Sequence, residues 1–190
     1  MTGNARPWPQ TVQGRLAGVL GGGGQVFGLL SQPSGTQRWS TPSGRLLWPP
    51  GEDEPAPWLV PGLDAMAFDE AWPAGGLAWL VADASRASGL DATWRHLRRF
   101  TRARDPQGRV VAWRFHDPRV LRLVLPELTA VQLAAFFGPV QAWITPDDDG
   151  TGAHAGAVVW SLAHGRLLAE RLPPDTAGDA GPGGNGESAR

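Results

Sequence analysis

The residues of this chain best equipped for chemistry are its arginines, its four histidines and one aspartate-proline-arginine step. All 17 basic residues are Arg, and the chain has neither Lys nor Cys. Without Lys, the glycine run at residues 21–24 cannot act as a phosphate-gripping Walker loop, and Schiff-base chemistry has no amine to use. Without Cys there is no thiolate nucleophile, no thiolate metal ligand and no disulfide framework. His96, His116, His154 and His164 lack the spacing of a zinc helix, and no nucleophile elbow accompanies them. His116 could be oriented as a general base by Asp117, but no nucleophile stands near it in sequence, so a hydrolase is the weaker reading. A GC-rich genome is the plain reason for Arg without Lys, and it also enriches Ala, Gly, Pro and Trp.

The arginines are unevenly placed. Nine lie between residues 95 and 122, opposed only by Asp105 and Asp117. The formal charge of the whole chain is −1, so bulk charge does not draw it to nucleic acid. A local cationic surface of Arg95, Arg98, Arg99 and Arg102, with Arg119 and Arg122 further on, suits an acidic protein partner. An RNA-binding face over residues 95–122 is the alternative, but it needs aromatic rings interleaved with the arginines. The bland alternative is a solvated helix face. Arg119 falls in the first turn of a predicted helix, where the macrodipole disfavours a cation. A carboxylate, internal or from a partner, is therefore expected beside it. Arg114 shares a predicted strand face with Val110 and Ala112, and Asp117 or Asp83 is its expected partner.

These side chains need elements to position them. Apolar residues make up 42% of 190, enough for one core. Runs at residues 25–30, 45–48 and 57–60 read as strands between Gly/Ser/Pro turns. Residues 63–72 read as a short helix, and the unbroken apolar run at 77–81 as a buried strand. Residues 88–102 have helical periodicity, with Ser88 and Asp91 spaced as a capping box. Leu90, Trp94, Leu97 and Thr101 form the inward stripe, and the arginines lie opposite. A turn at 105–108 leads to a strand over 109–115. Asp117 then caps a helix that Pro118 opens and Pro126 ends. Thr129 and Gln132 predict a second capping box, and Gly138-Pro139 the stop of that helix. A strand over 140–144 and a hairpin of 157–162 with 166–172 about His164-Gly165 complete the chain.

The sum is an α/β or α+β fold: a mixed sheet with a few helices, in one or two small lobes. The expected organisation is a flexible start at 1–14, a domain over 15–172 and a disordered tail at 173–190. Within that domain, residues 15–75 form a loop-rich first lobe and 76–172 the second part, which carries the family resemblance given below. Trp79, Trp94, Trp113, Trp143 and Trp160 are expected in the core, whereas Trp39, Trp48, Trp58 and Trp72 lie near Pro and Gly, where they either anchor a partner or plug loops. No run is apolar enough to cross a bilayer and no signal peptide is recognisable, so a cytoplasmic protein is expected.

Three blocks carry a family resemblance: His-Leu-Arg at 96–98, Arg-Phe-His-Asp-Pro-Arg-Val-Leu at 114–121, and Ala-Phe-Phe-Gly-Pro-Val at 135–140. They resemble the effector-chaperone adaptors of bacterial type VI secretion, first catalogued as a domain of unknown function. The resemblance is strongest over 77–144, and its motif residues are His96, Arg114, Asp117, Pro118, Phe136, Phe137, Gly138 and Pro139. His116 replaces an aromatic residue of the pattern, so a role that needs a phenol does not carry over. The resemblance implies a cytoplasmic adaptor without catalytic activity, metal or cofactor. Such a protein binds a toxin effector, through the effector's N-terminal region, and hands it to the valine–glycine repeat (VgrG) spike. It implies no membrane or nucleic-acid partner.

Overall fold

The structure, a computed structural model, describes residues 24–32, 44–48, 56–61, 77–83, 85–86, 89–147 and 156–173. The expected N-terminal segment 1–14, the helix over 63–72, Ser88, His154, Trp39 and Trp72 lie outside them, as does nearly all of 173–190. The strands are β1 (Gly24–Gln32), β2 (Arg45–Leu46), β3 (Ala56–Pro61), β4 (Leu77–Asp83), β5 (Arg102–Arg104), β6 (Val110–Ala112), β7 (Val140–Pro146), β8 (Ala157–Ala163) and β9 (Arg166–Leu172). The helices are α1 (Leu90–Arg98), α2 (Pro118–Val124) and α3 (Ala130–Phe137), with a 3-10 turn at Leu125–Glu127.

Seven strands form one sheet in the order β2-β3-β1-β4-β7-β8-β9. Every pairing in it is antiparallel, which corrects the expected mixed sheet and places the fold in the α+β class. Strands on either side of residue 76 share this sheet: β1 pairs with both β3 and β4, and β4 with β7. The predicted strand over 109–115 shrinks to β6. It pairs only with β5 in a separate hairpin, closed by the Asp105–Gly108 turn in which Gly108 N–H donates to Asp105 O.

Phe27 pairs with Leu80, Leu80 with Trp143, and Trp143 with Trp160, forming an apolar row across four strands. Leu97, Phe115, Leu121, Leu125, Leu133 and Phe136 from the helical region join this row in one core. Phe136 stacks on Trp143 at a centroid separation of 4.9 Å and 6° between planes, worth about 1 kcal/mol beyond its area burial. Val26, Val60, Val81, Ile144 and Val159 on the reverse face are buried as well. Two-sided burial explains why β4 is apolar from Leu77 to Ala82 rather than alternating.

The segment from residue 84 to 139 leaves the sheet after β4 and returns beside its own start, where Asp83 N–H donates to Pro139 O at 2.8 Å. This excursion holds all three helices of the described residues. Its capping follows the sequence in α2 and α3. Asp117 accepts from Arg119 N–H with Pro118 in the first turn, and Thr129 and Gln132 form the reciprocal box. It departs from the sequence in α1. The N-cap there is Gly89 without a side-chain cap, and its N–H donates to Gln25 on β1 at 2.9 Å. Asp91 is paired with Arg45 at 2.6 Å instead. The helix also ends at Arg98, so Arg102 belongs to β5.

Candidate partner-binding groove

On α1, Thr93 and Leu97 are buried, Leu90 and Trp94 half-buried, and Arg95, Arg98 and Arg99 exposed. The outward arginine face is therefore real, but its members divide. Arg98 lies 4.7 Å over the Trp94 ring, and Arg45 lies 5.4 Å from the same ring. Trp94 Nε1–H donates to Leu46 O at 2.9 Å, so this tryptophan fastens α1 to β2 and is neither free nor fully core. Arg102 is exposed on the β5–β6 hairpin. Arg122 donates to Pro146 O at 2.8 Å and ties α2 to the end of β7.

Arg95 and Arg99 stand one helical turn apart and, with Arg86, line an open groove of about 870 Å³ at the joint where the excursion leaves and rejoins the sheet. Ala92, Ala134, Phe137, Pro139, Val140 and Leu162 supply its apolar surface. Asp83 is the single carboxylate along it among the described residues. Ser85 donates to that carboxylate from its hydroxyl at 2.6 Å and from its N–H at 2.8 Å, and these bonds hold its pKa below the ordinary value. Arg86 reaches Gly138 O at 3.4 Å. The guanidinium groups of Arg95 and Arg99 have no carboxylate partner among the described residues. The groove is thus a cationic rim above an apolar floor.

His96 forms one wall. Its Nε2–H donates to Phe136 O at 2.8 Å, at the C-terminal end of α3. Burial lowers its pKa, the carbonyl bond works against that, and the Arg99 charge adds to the lowering. The lowering favours the uncharged ring, and the cationic side chains along the groove are the guanidinium groups of Arg86, Arg95 and Arg99. Gly138 adopts φ +49°, and a Cβ there would fall on the His96 ring. Two demands, backbone angle and close approach, thus require glycine at 138. The 96–98 and 135–140 motif blocks meet at this contact, and α1 and α3 are locked by it.

The third block is a separate, structural cluster. Asp117, 8% exposed in its side chain, accepts from Arg119 Nε at 3.0 Å and Nη2 at 2.8 Å, with Arg114 Nη2 at 3.6 Å. The carboxylate expected near Arg119 is therefore its own helix cap. Burial alone would raise the Asp117 pKa; the Arg119 side-chain and backbone bonds, with the Arg119 and Arg114 charges, outweigh it and lower the pKa. Arg114 pairs here and not with Asp83, and it lies beyond the end of β6, half in solvent. Val110 and Ala112 are exposed, so the predicted buried strand face does not exist. His116 is 1% exposed, lies edge-on 4.9 Å from the Trp48 ring, and has no hydrogen-bond partner at either nitrogen among the described residues. Burial first, then the Arg114 charge, push its pKa down to about 4 against the opposing Asp117 charge.

Sequence reasoning found Arg95, Arg99, His96 and the Gly138 block but missed Arg86 and Leu162, whose place in the groove depends on long-range packing that leaves no local pattern. Among the described residues no three His, Asp or Glu side chains are grouped to hold a metal ion, and no helix is long and apolar enough to cross a membrane.

The profile of a family described as "Domain of unknown function (DUF4123)" matches residues 32–135. That covers more than half of the chain, so the protein belongs to this family. The match begins in the glycine- and proline-rich first part, earlier than the 77–144 core of the resemblance, and stops just before Phe136 and Phe137. No curated protein and no solved structure matches the chain.

Proposed function

We propose that this DUF4123 protein is an adaptor of type VI secretion that binds a toxin effector and carries it to the VgrG spike, without catalytic turnover. Membership of a family linked to type VI effector adaptors is the observation that carries this reading. The groove supports its binding half. Cations without a carboxylate partner among the described residues, set above an apolar floor, suit an amphipathic acidic segment of a protein partner, since charge complementarity steers encounter and apolar contact holds the complex. The RNA alternative draws little support, because Trp94, an aromatic beside the arginines, is engaged by Arg98, Arg45 and Leu46. Co-expression with type VI toxin and VgrG spike proteins of the same genome tests the reading. A complex that co-purifies is expected, and a well-folded chain that captures neither protein would overturn it.

A further inference from the structure

Two helices wall the cationic groove, and each offers it a stripe at helical spacing. On α1 the stripe is Ala92, Arg95 and His96, with Arg99 at the C-cap. On α3 it is Ala134, with Gly138 just past the helix end, and Val131 precedes Ala134 by one turn on the same side. Val131 is 80% exposed, the most exposed large apolar side chain among the described residues. The apolar surface of the groove therefore continues along α3. Ala92 and Ala134 carry only methyl groups, so a bulky element can approach both helices closely. The space of about 870 Å³ matches about two turns of a helix about 10 Å wide.

Arg86 reaches Gly138 O, and Ser85 holds the Asp83 carboxylate. Arg95 and Arg99, in contrast, have neither an ion pair nor a stacked indole among the described residues. Their charge calls for carboxylates from a partner. The backbone of that partner decides its conformation. β4, β7 and β8, the strands that reach the groove, are each paired on both sides, and the peptide groups of α1 and α3 are spent within their helices. An extended segment lying here would press its own N–H and C=O groups against apolar surface without partners, whereas a helix bonds its own. We propose that the groove seats an acidic amphipathic α-helix of a protein partner, with two carboxylates one turn apart against Arg95 and Arg99 and an adjoining apolar stripe against Ala134 and Val131. Carboxylates four residues apart on such a helix are separated by about 6 Å of rise, as the two arginines are. Docking of this kind reads anchors at helical spacing. The assignment rests on the groove as the capture site of the proposed function and adds the form of the captured segment.

The probe is the acetylated and amidated peptide Ala-Glu-Leu-Ala-Gln-Glu-Leu-Ala-Glu-Leu-Ala-Gln-Glu-Leu-Ala-Gln, whose Glu and Leu residues form adjoining helical stripes. Titrated into the isotope-labelled full chain, it should shift the amides of Ala92, Arg95, Arg99, Val131 and Ala134 most. With Pro in place of its inner Ala residues the peptide keeps every Glu and Leu but cannot be helical, and binding should weaken at least about tenfold. Lys in place of Glu should weaken it several-fold. Val131→Glu places an acid at an exposed position in the first turn of α3, so thermal unfolding should stay at or above that of the wild type while peptide binding weakens several-fold. No binding of the helical peptide, shifts confined to other residues, equal binding of the proline version, or affinity unchanged by Val131→Glu would overturn the proposal. The adaptor reading fails separately. A chain that binds this peptide but captures neither toxin nor spike loses that reading alone, and one that captures them but binds the proline version equally well loses the helix alone.

Discussion

At the scale of single residues, two buried ionisable groups in adjacent positions respond to acid in different windows. His116 binds its proton near pH 6.5 when unfolded and near 4 when folded. The unfolded chain therefore holds more protons between those values, and stability falls as pH drops from about 6.5 to 4, by on the order of 3 kcal/mol in full. Asp117 has its pKa depressed on folding, so its contribution is present above the unfolded carboxylate value and disappears only as pH falls through the lower folded one. Denaturant melts across this range should show the His116 slope first, and His116→Leu should remove it. At pH 7 His116→Leu should cost nothing or stabilise, because neither ring nitrogen makes a bond that would be lost. Asp117→Ala should cost about 1–2 kcal/mol at pH 7, the value of a cap with a partly exposed ion pair, since the Arg114 and Arg119 side chains are both more than half exposed. An unchanged melting temperature would contradict the capping role. Asp117 and Pro118 were legible in sequence because a cap acts on its own neighbours. The burial of His116 was not, because Trp48 reaches it from 68 residues away.

At the scale of elements, the lock between α1 and α3 rests on His96 and Gly138. Gly138→Ala imposes both a disfavoured backbone angle and a clash with the His96 ring, and should cost about 1–3 kcal/mol. His96→Ala should relieve the clash but not the angle, so the double variant should lose less than the sum of the two single losses, measurable by a double-mutant cycle. Strict additivity would mean that the two residues do not press on each other. Helices α2 and α3, the closing hairpin and the runs of β1, β3, β4 and β7 were readable because caps, turns and apolar periodicity are local signals. The α1 boundaries were not. Ser88 and Asp91 had capping-box spacing, but Gln25 from β1 took the Gly89 N–H and Arg45 took Asp91. The antiparallel order was hidden for a similar reason: a helix between two strands suggests a crossover, and here the excursion returns to the end of the sheet it left.

At the scale of the whole molecule, one antiparallel sheet buried on both faces presents its cationic groove where a helical excursion closes on itself. The groove's chemistry was half visible. Helical spacing gave Arg95 and Arg99, whereas the engagement of Arg98 by Trp94 and the move of Arg102 onto a hairpin depended on where α1 stops. Groove charges that bind a partner should contribute little to folding. Arg95→Glu with Arg99→Glu should therefore shift stability by about 1 kcal/mol at most, most of it from placing acids in the last turns of α1.

The most direct test is the affinity of the purified full chain for its cognate toxin effector, measured by calorimetry at low and high salt. The wild type should bind more tightly at low salt, and the Arg95→Glu/Arg99→Glu variant should bind at least about tenfold more weakly, with its salt dependence reduced. Equal affinity of the two proteins at both salt concentrations would contradict the groove as the capture site.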